Sequence, residues 1–397
     1  MGAGAGLKGA ERPRLLIVGA FPPADRQVFG GMVTSCRALL QSSLPARASL
    51  DLLDSTQISV PPPALPVRFA LAMLRLVRYV YRLERRRPDA VLLFAAVGAS
   101  LAEKGMMTWY ARMRGLPVLM FPRGGGIIDA SRVSSLTRGL VRWAFGGATM
   151  LLCQSSKWHD FACRLLDFPA SRAPVIPNWT ATPDLLAIGH SRGLREGGPV
   201  RLLFLGWLER EKGVGELLDA CRQLRTQRSF TLDIAGEGNF SAAARDLVER
   251  HRIADVVHFR GWLRGDALRA ALAETDVLVL PSWAEGLPNA MIEAMAARLA
   301  IVVTAVGSIP DVMTDGRDAL LVPPRDVLAL ERALSRVIDD RDLRQRLGDA
   351  ALVVAEAQFG LEPAIDRIVA AIGEAIGQTQ GPPSSNSLRD EESASGR

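Results

Sequence analysis

Two carboxylates, Glu285 and Glu293, stand on either side of a predicted helix start in the stretch LVLPSWAEGLPNAMIEAMAAR (278–298). An apolar run is followed by a short polar loop, and good helix formers begin near Asn289, directly after Pro288. The free amides of a helix N-terminus, with the peptide dipoles behind them, bind anions. Carboxylates beside an anion site suit a ligand that carries hydroxyls as well as phosphate, as a nucleotide sugar does. Alternatively, Glu285 is a loop charge and Glu293 a helix-dipole partner, and the pair alone leaves both interpretations open.

A second candidate anion site lies near the start of the chain. Gly30 and Gly31 follow an apolar run at 14–19 and precede a predicted helix at about 32–41. Glycines at a helix entrance let the backbone approach a ligand closely. An ordinary strand-to-helix turn explains the same residues, so only the rest of the chain can support an anion site here.

The composition is that of a globular protein with enough length for two or three domains: 397 residues, 48% hydrophobic and 23% charged. The net charge of +6 suits acidic ligands or an anionic membrane surface, but no basic run interleaved with aromatics indicates a nucleic-acid partner. The four cysteines lack CxxC spacing and predict reduced thiols rather than disulfides or a metal site. Neither a signal-peptide core nor a run of about 18 apolar residues is found. We therefore expect a cytoplasmic protein.

Strand-like and helix-like segments alternate along the chain in two rounds. Strands of the first round are predicted at 14–19, 49–54, 90–96, 117–121, 149–153 and 174–178. Strands of the second round are predicted at 200–206, 230–236, 256–261, 276–281, 300–305 and 319–323. Alternation with short connections indicates parallel sheets covered by helices on both faces. The predicted fold class is α/β, with two doubly wound Rossmann-like lobes and a ligand cleft at the carboxyl ends of their strands.

Domain boundaries follow from this alternation and from composition. We predict a flexible N-terminus at 1–13, a first lobe at 14–180, a linker at 181–199, a second lobe at 200–358, a C-terminal helix at 359–376 and a disordered polar tail at 377–397.

A predicted helix at 66–87 combines apolar residues with arginines between Arg68 and Arg87. This pattern is typical of a helix that lies on an anionic membrane surface. A helix that packs on a sheet and turns a charged, solvated face outward shows the same pattern. Both interpretations stay open.

Five segments resemble, in the correct order, motifs of the retaining glycosyltransferases of the glycogen-synthase-like group, glycosyltransferase family 4, which have the two-lobed GT-B fold. They are GWLEREKG (206–213), AGEGN (235–239), HFRGWL (258–263), PSWAEGLPNAMIEAMA (281–296) and VGSIPDVMTDGRDALLVPPRD (306–326). The fourth segment carries the Glu-x7-Glu signature as Glu285 and Glu293. The resemblance covers most of 200–323, and several ordered motifs are more specific than one.

The resemblance implies a role for each matching residue. Lys212 would neutralise the donor diphosphate, Glu293 would bind the ribose hydroxyls and Glu285 would meet the transferred sugar. The amides of Gly286 and Leu287 would hold the terminal phosphate. With a lysine and a helix dipole in place, neither a metal nor another cofactor is required beyond the nucleotide diphosphate sugar itself. The first lobe would hold the acceptor, and the final helix would return to it.

Four positions depart from the family pattern. Trp207 stands where the family usually has an arginine. Either Arg210 or Arg201 supplies the missing charge, or Lys212 acts with the amides alone. Arg123 stands where the family often has a histidine, and it cannot act as a base at neutral pH but can bind a diphosphate or an anionic acceptor. Arg298 and Ala300 stand where the family usually has glycine and proline, after the signature helix. The remaining donor-binding candidates are Gly30, Gly31, Trp207, Arg210 and Gly236.

The sequence thus predicts a metal-independent hexosyltransferase that acts with retention on a saccharide or lipid-linked saccharide, in bacterial-type polysaccharide or glycolipid assembly. It would be cytoplasmic, and peripheral at the inner membrane face if the arginine-rich helix binds lipid. One alternative is a catalytically silent nucleotide-binding or assembly protein. Another alternative is a nicotinamide-dependent enzyme on two Rossmann lobes. Such an enzyme would need a GxGxxG motif after its first strand, whereas here GAFPPA follows RLLIV.

Overall fold

The chain folds into two lobes, each built on a parallel sheet, as predicted from the alternating segments. The computed structural model describes residues 12–23, 28, 30–56, 63–96, 98–123, 127–128, 131, 134–193 and 197–380. Among these, no helix combines the length and hydropathy that a bilayer-spanning segment needs.

The first lobe has a five-stranded sheet in the order β2-β1-β3-β4-β5. Its strands are β1 (Arg14–Gly19), β2 (Ser49–Asp54), β3 (Ala90–Ala95), β4 (Val118–Pro122) and β5 (Met150–Leu151). Its helices are α1 (Gly31–Gln41), α2 (Leu44–Arg47), α3 (Leu65–Arg86), α4 (Ala99–Met113), α5 (Ser135–Gly146) and α6 (Ser156–Leu165). The apolar runs that predicted β1 and β3 are buried almost completely because helices cover both faces of the sheet.

The strand predicted at 174–178 is wrong. Val175 forms only one isolated bridge, to Cys153. Two prolines in the segment PVIPN lack the N–H groups that a longer ladder would need.

The second lobe has a six-stranded sheet in the order β11-β10-β9-β6-β7-β8. Its strands are β6 (Val200–Leu205), β7 (Phe230–Ala235), β8 (Val257–Gly261), β9 (Val277–Leu280), β10 (Ala300–Thr304) and β11 (Leu320–Val322). Its helices are α7 (Pro183–Ser191), α8 (Val214–Leu224), α9 (Ser241–His251), α10 (Gly265–Glu274), α11 (Asn289–Ala296), α12 (Ile309–Val312), α13 (Val327–Asp339) and α14 (Arg341–Phe359).

Part of the predicted linker at 181–199 is helical. Helix α7 begins with Pro183 and Asp184 in its first turn, both favourable at a helix N-terminus. Leu185 is buried in the core of the second lobe, and a Cβ on Gly189 would overlap the carbonyl oxygen of Ala296. Burial of this short apolar segment outweighs the Pro- and Gly-rich composition that predicted a linker.

The chain crosses between the lobes twice, at neighbouring points. Ala181 and Gly360 form a parallel bridge, and the Ala181 amide donates to the carbonyl oxygen of Phe359. The last helix, α15 (Leu361–Gln380), then packs on the first lobe through buried residues such as Ile365 and Ile368. Most of the predicted disordered tail, at 381–397, and the predicted flexible start, at 1–11, lie outside the described residues.

Candidate active site

A cavity of about 570 Å³ lies between the two lobes, at the carboxyl ends of β6 and β9. It is the place where open parallel sheets bind ligands. Both lobes contribute to its wall, and most of the residues predicted from the sequence meet there. The predicted residues that line it are Gly30, Gly31, Arg123, Trp207, Lys212, Glu285, Gly286, Leu287 and Glu293.

Glu285 and Lys212 form an ion pair on this wall. The Lys212 Nζ lies 2.6 Å from Glu285 Oε1, which also accepts a hydrogen bond of 2.9 Å from Ser282 Oγ. Gly213, directly after the lysine, has a φ of 71°, and a Cβ there would overlap the carbonyl of Pro281. Only glycine permits this close approach, which brings the lysine loop onto the end of β9. The pair therefore presents one cation and one anion to the cavity from two loops.

Glu293 lies on α11 and is almost completely buried, with 6% of its surface exposed. Burial disfavours the charged carboxylate and raises the pKa of Glu293 from 4.5 to about 8. At neutral pH the free protein therefore holds this carboxyl largely protonated. A ligand whose hydroxyls donate to the ionised carboxylate would favour loss of that proton.

Gly286 and Leu287 form a loop ahead of α11, which begins at Asn289 after Pro288. The loop is held from behind by the next turn of chain, since the Ser308 amide donates to the Gly286 carbonyl oxygen at 2.9 Å. Gly307 has a φ of 59°, and a Cβ there would overlap the Glu285 carbonyl. The amides of this loop thus stand at the positive end of the α11 dipole, next to the cavity.

Arg123 is buried between the rings of Phe121 and Trp179, at 5.1 and 5.0 Å from their centroids. It donates to Asn178 Oδ1 at 2.7 Å and to the hydroxyl of Ser35. Burial lowers its pKa to about 10, so it remains a cation at neutral pH. Two of its donors already serve protein acceptors, which makes Arg123 a support of the cavity wall as well as part of it.

Asn178 carries the contact from Arg123 across to the second lobe. Its Nδ2 donates to the Leu287 carbonyl oxygen at 2.8 Å, in the loop ahead of α11. Asn178 is buried and holds the loop ahead of α11 against the first lobe.

Ser35 and Asn289 were not identified from the sequence. Asn289 Nδ2 donates to the Gly31 carbonyl oxygen at 2.7 Å and to Ser35 Oγ at 3.1 Å, so it also joins the two lobes. Its Oδ1 is buried and finds no hydrogen-bond partner among the described residues. The sequence signal for Asn289 was its place at the start of the signature helix, which indicated a helix start but no cross-lobe contact.

The remaining donor candidates are placed differently. Trp207 lines the cavity, packs edge-on against Trp262 at 4.8 Å between ring centroids, and lies beside Gly30. Arg210 does not line the cavity: its guanidinium lies over the Trp283 ring, 5.8 Å from the centroid. The hypothesis that Arg210 supplies the missing donor-loop charge is therefore not supported by its position.

Gly236 also lies behind the cavity wall rather than on it. Its φ is 144°, and a Cβ there would overlap the Gly206 carbonyl oxygen. The glycine thus lets the turn after β7 pack against the loop that carries Trp207. Gly236 thus shapes the loop that carries Trp207 and does not itself line the cavity.

A second cavity, of about 450 Å³, adjoins the first on the side of the first lobe. Trp158, Phe161 and Lys157 of α6 form one wall, and Glu285 and the Gly307 turn form the other. Glu285, Gly286, Leu287 and Gln154 line both cavities. The two cavities therefore meet at Glu285. Within the described residues, no group of three or more His, Cys, Asp or Glu side chains is placed to hold a metal ion.

Comparison with known families agrees with this geometry. Residues 199–340 match the model of the family described as "Glycosyl transferases group 1". The matched residues make up most of the second lobe, and we call them the group 1 domain after the model that they match. This domain contains Lys212, Glu285 and Glu293, the residues that carried the resemblance in the sequence.

Part of the chain is also similar to a curated relative. The chain is 37% identical over 155 residues to a protein named glycogen synthase from Mycobacterium tuberculosis (strain ATCC 25618 / H37Rv), and the alignment covers 39% of this chain and 37% of that relative. The chain thus spans less than half the length of the relative.

Solved structures extend the likeness to both lobes. A sucrose-phosphate synthase from Thermosynechococcus elongatus aligns with a TM-score of 0.75 and 18% identity over 91% of this chain and 99% of its own. The Anabaena protein HepE, solved in complex with UDP-glucose, aligns with a TM-score of 0.68 and 17% identity over 91% of this chain and 100% of its own. These similarities confirm the predicted GT-B fold around the group 1 domain.

Proposed function

We propose that this protein is a retaining glycosyltransferase that moves a hexose from a nucleotide diphosphate sugar to an acceptor hydroxyl without a metal ion. The observation that carries the proposal is the convergence of Lys212, Glu285 and Glu293 around the N-terminus of α11 on one cavity wall. The group 1 match and the likeness to a UDP-glucose complex support a nucleotide-sugar donor.

In the proposed donor pose, the diphosphate lies against the amides of Gly286 and Leu287 and recruits Lys212 from its ion pair with Glu285. Glu285 is then free to accept hydrogen bonds from the hexose hydroxyls. Glu293 accepts hydrogen bonds from the ribose and loses its proton. A lysine and a helix dipole supply the positive charge that a metal would otherwise provide at the leaving phosphate.

The acceptor enters through the second cavity in this proposal, because that cavity reaches Glu285 from the opposite side. In the transfer step, the bond from the anomeric carbon to the phosphate oxygen breaks while the bond to the acceptor oxygen forms on the same face. The acceptor proton passes to the leaving phosphate, so Arg123 need not replace a histidine base.

We further propose a saccharide or lipid-linked saccharide acceptor in polysaccharide or glycolipid assembly, and a cytoplasmic location, peripheral at the inner membrane face. The relative named glycogen synthase supports a saccharide acceptor. Four free cysteines, three of them buried, fit a reducing compartment. We also propose that helix α3 contacts an anionic membrane surface.

A panel of nucleotide sugars tests the proposal directly. Release of UDP or GDP is measured with and without saccharide acceptors, with and without EDTA, and the anomeric configuration of the product is read by NMR. We expect nucleotide release from one donor, undiminished by EDTA, and a product with the configuration of the donor. The Glu285→Gln variant should lose transfer while it still binds the nucleotide.

The same panel distinguishes the alternative of a catalytically silent protein. Such a protein would show a thermal shift with a nucleotide but no release of it from any donor, in the wild type as in Glu285→Gln. A product of inverted configuration would refute the retaining mechanism. Loss of activity in EDTA, restored by a divalent cation, would refute metal independence.

A further inference from the structure

Three neighbouring helices of the first lobe expose an unusual number of large apolar side chains. The side chains are Leu65, Val67, Phe69, Leu74, Val77 and Tyr81 on α3, Met106 and Met113 on α4, and Leu136 and Trp143 on α5. The part of the chain that the structure describes exposes four others, Leu40, Val175, Leu328 and Val353, which lie on separate elements. Clustering of exposed apolar side chains on one surface indicates an interaction site.

Helix α3 is apolar on two opposite sides. Its inner side packs on the sheet through Tyr79 and Leu83, which are buried. Val67, Leu74 and Tyr81 are each exposed and stand seven residues apart, so they form one stripe on the opposite side. A helix that only covers a sheet requires the inner side but not this outer stripe.

The outer stripe continues on α4 and α5, which lie beside α3 in the same layer. The Tyr79 hydroxyl donates to the Met107 carbonyl oxygen at 3.0 Å, which joins α3 to α4. A Cβ on Gly105 would overlap the Trp143 ring, so α4 and α5 are packed closely. Met106 and Met113 on α4 stand seven residues apart, as do Leu136 and Trp143 on α5. We call these exposed stripes of α3, α4 and α5 together the outer face.

Charge on the outer face is almost entirely positive. The three helices contain only two acidic residues, Glu84 and Glu103, and both are paired with arginines of the same helices and their ends: Glu84 with Arg114 and Glu103 with Arg75. Basic residues outnumber the acidic ones on these helices, and Arg78 and Arg85 are exposed on the same side of α3 as its stripe. The other basic residues are Arg68, Arg86 and Arg87 on α3 and its end, Arg112 and Arg114 on α4 and its end, and Arg138 and Arg142 on α5. Three of these form ion pairs: Arg86 with Asp51, Arg114 with Glu84 and Arg142 with Asp167.

We propose that the outer face docks on a bilayer surface rich in anionic lipid, with α3 lying in the plane of the headgroups. Apolar side chains that reach the acyl boundary, beside arginines that reach lipid phosphates, match the two parts of such a surface. Tyr81 and Trp143 are amphipathic rings of the kind that prefer the headgroup level. A second copy of the chain is a poorer partner because a symmetric contact would bring the two sets of arginines together.

This inference extends the membrane contact of the proposed function from helix α3 alone to a surface formed by α3, α4 and α5. It does not depend on glycosyl transfer, and its test is independent of it. Wild-type protein is mixed with vesicles of phosphatidylcholine, or of phosphatidylcholine with phosphatidylglycerol, and the bound fraction is measured by flotation. We expect binding to the anionic vesicles that weakens with salt, and little binding to the neutral ones.

Two variants separate the apolar and the charged contribution. The double variant Leu74→Ser with Val77→Ser should bind the anionic vesicles at least about ten-fold more weakly, because it removes two apolar side chains that would be buried at the acyl boundary. Arg78→Gln with Arg85→Gln should weaken binding by about five-fold for each arginine at low salt. The matched controls, Leu328→Ser with Val353→Ser and Arg332→Gln with Arg346→Gln, change exposed residues of the second lobe and should bind as the wild type does.

Thermal shift with UDP and GDP is measured on every variant, so that a folding defect or a lost donor site is seen separately. Wild-type protein that does not float with anionic vesicles overturns the inference and leaves the proposed transferase intact. Equal loss of binding in the controls overturns it as well. If ultracentrifugation shows instead a dimer that the Leu74 and Val77 changes dissociate, the outer face is an interface between two copies and not a membrane surface.

Discussion

Replacement of Glu293 by glutamine is expected to stabilise the free protein while it weakens donor binding. The carboxyl has a pKa of about 8 in the folded chain, because it is buried, against an ordinary value of 4.5. Between these two values the unfolded chain loses the proton and the folded chain keeps it. The free energy of unfolding therefore falls as the pH rises, by about 1.4 kcal/mol for each pH unit in that window. Glutamine has no proton to lose, so the variant lacks this decline.

The size of the effect makes it measurable. From pH 5 to pH 8 the free energy of unfolding of the wild type should fall by about 3 kcal/mol relative to that of Glu293→Gln, because the titration of all other groups is common to both proteins. For a lobe of this size, that difference corresponds to a relative change in Tm on the order of 5 to 10 °C. Thermal unfolding of both proteins at pH 5, 6, 7 and 8 gives the difference directly. The exposed Glu249→Gln, on α9, serves as the control and should follow the wild type at every pH.

Donor binding provides the second half of the test. If hydroxyls of the bound nucleotide donate to Glu293, binding at pH 7 should release a proton, and calorimetry in buffers of different ionisation enthalpy counts it. The Glu293→Gln variant should bind the nucleotide more weakly and should release no proton from this residue. A Tm difference between wild type and Glu293→Gln that is the same at pH 5 and pH 8 would refute the assignment of a buried, protonated carboxyl.

Three further changes test the loops around the cavity. Lys212→Met should lower the rate of nucleotide release about 100-fold to 1000-fold, because one preorganised cation at the leaving phosphate is lost, while Lys212→Arg should retain part of the rate. Gly307→Ala should weaken the thermal shift with UDP or GDP, since the new methyl group displaces the Glu285 carbonyl; Gly316→Ala, at a positive φ in open space, is the control for backbone strain alone. Arg298→Gly should change the urea midpoint little, because relief of a left-handed residue, worth about 1 kcal/mol, offsets loss of the ion pair to Asp349.

The fold and the donor side of the site could be predicted from local sequence. Buried parallel strands appear as unbroken apolar runs, so β1 and β3 were found to within one residue. Lys212, Glu285 and Glu293 belong to ordered motifs, and the structure gathers them on one wall. Gly213 and Gly307 explain why the motifs contain glycine at those positions, since both have positive φ and close carbonyl neighbours.

Contacts between distant residues could not be predicted. Arg123, Asn178 and Ser35 meet over separations of 55 and 88 residues, and nothing local marks them as partners. Arg210 was assigned by its nearness to the donor motif, but the short helical turn at 210–212 directs it to Trp283 instead. The outer stripe of α3 could not be predicted either, because the exposure of its apolar residues depends on which side of the helix packs on the sheet.

The last helix also constrains the order in which the protein can be made. Apolar residues of α15, among them Ile365, Ile368 and Ile372, complete one face of the first-lobe core. The ribosome must therefore finish the whole second lobe before the first lobe can close that face. At about 5 to 20 residues per second, the nascent first lobe waits for roughly ten seconds or more with apolar surface uncovered. Truncation before Leu361 would thus leave a permanently open first lobe, although every residue of the candidate donor site would be present.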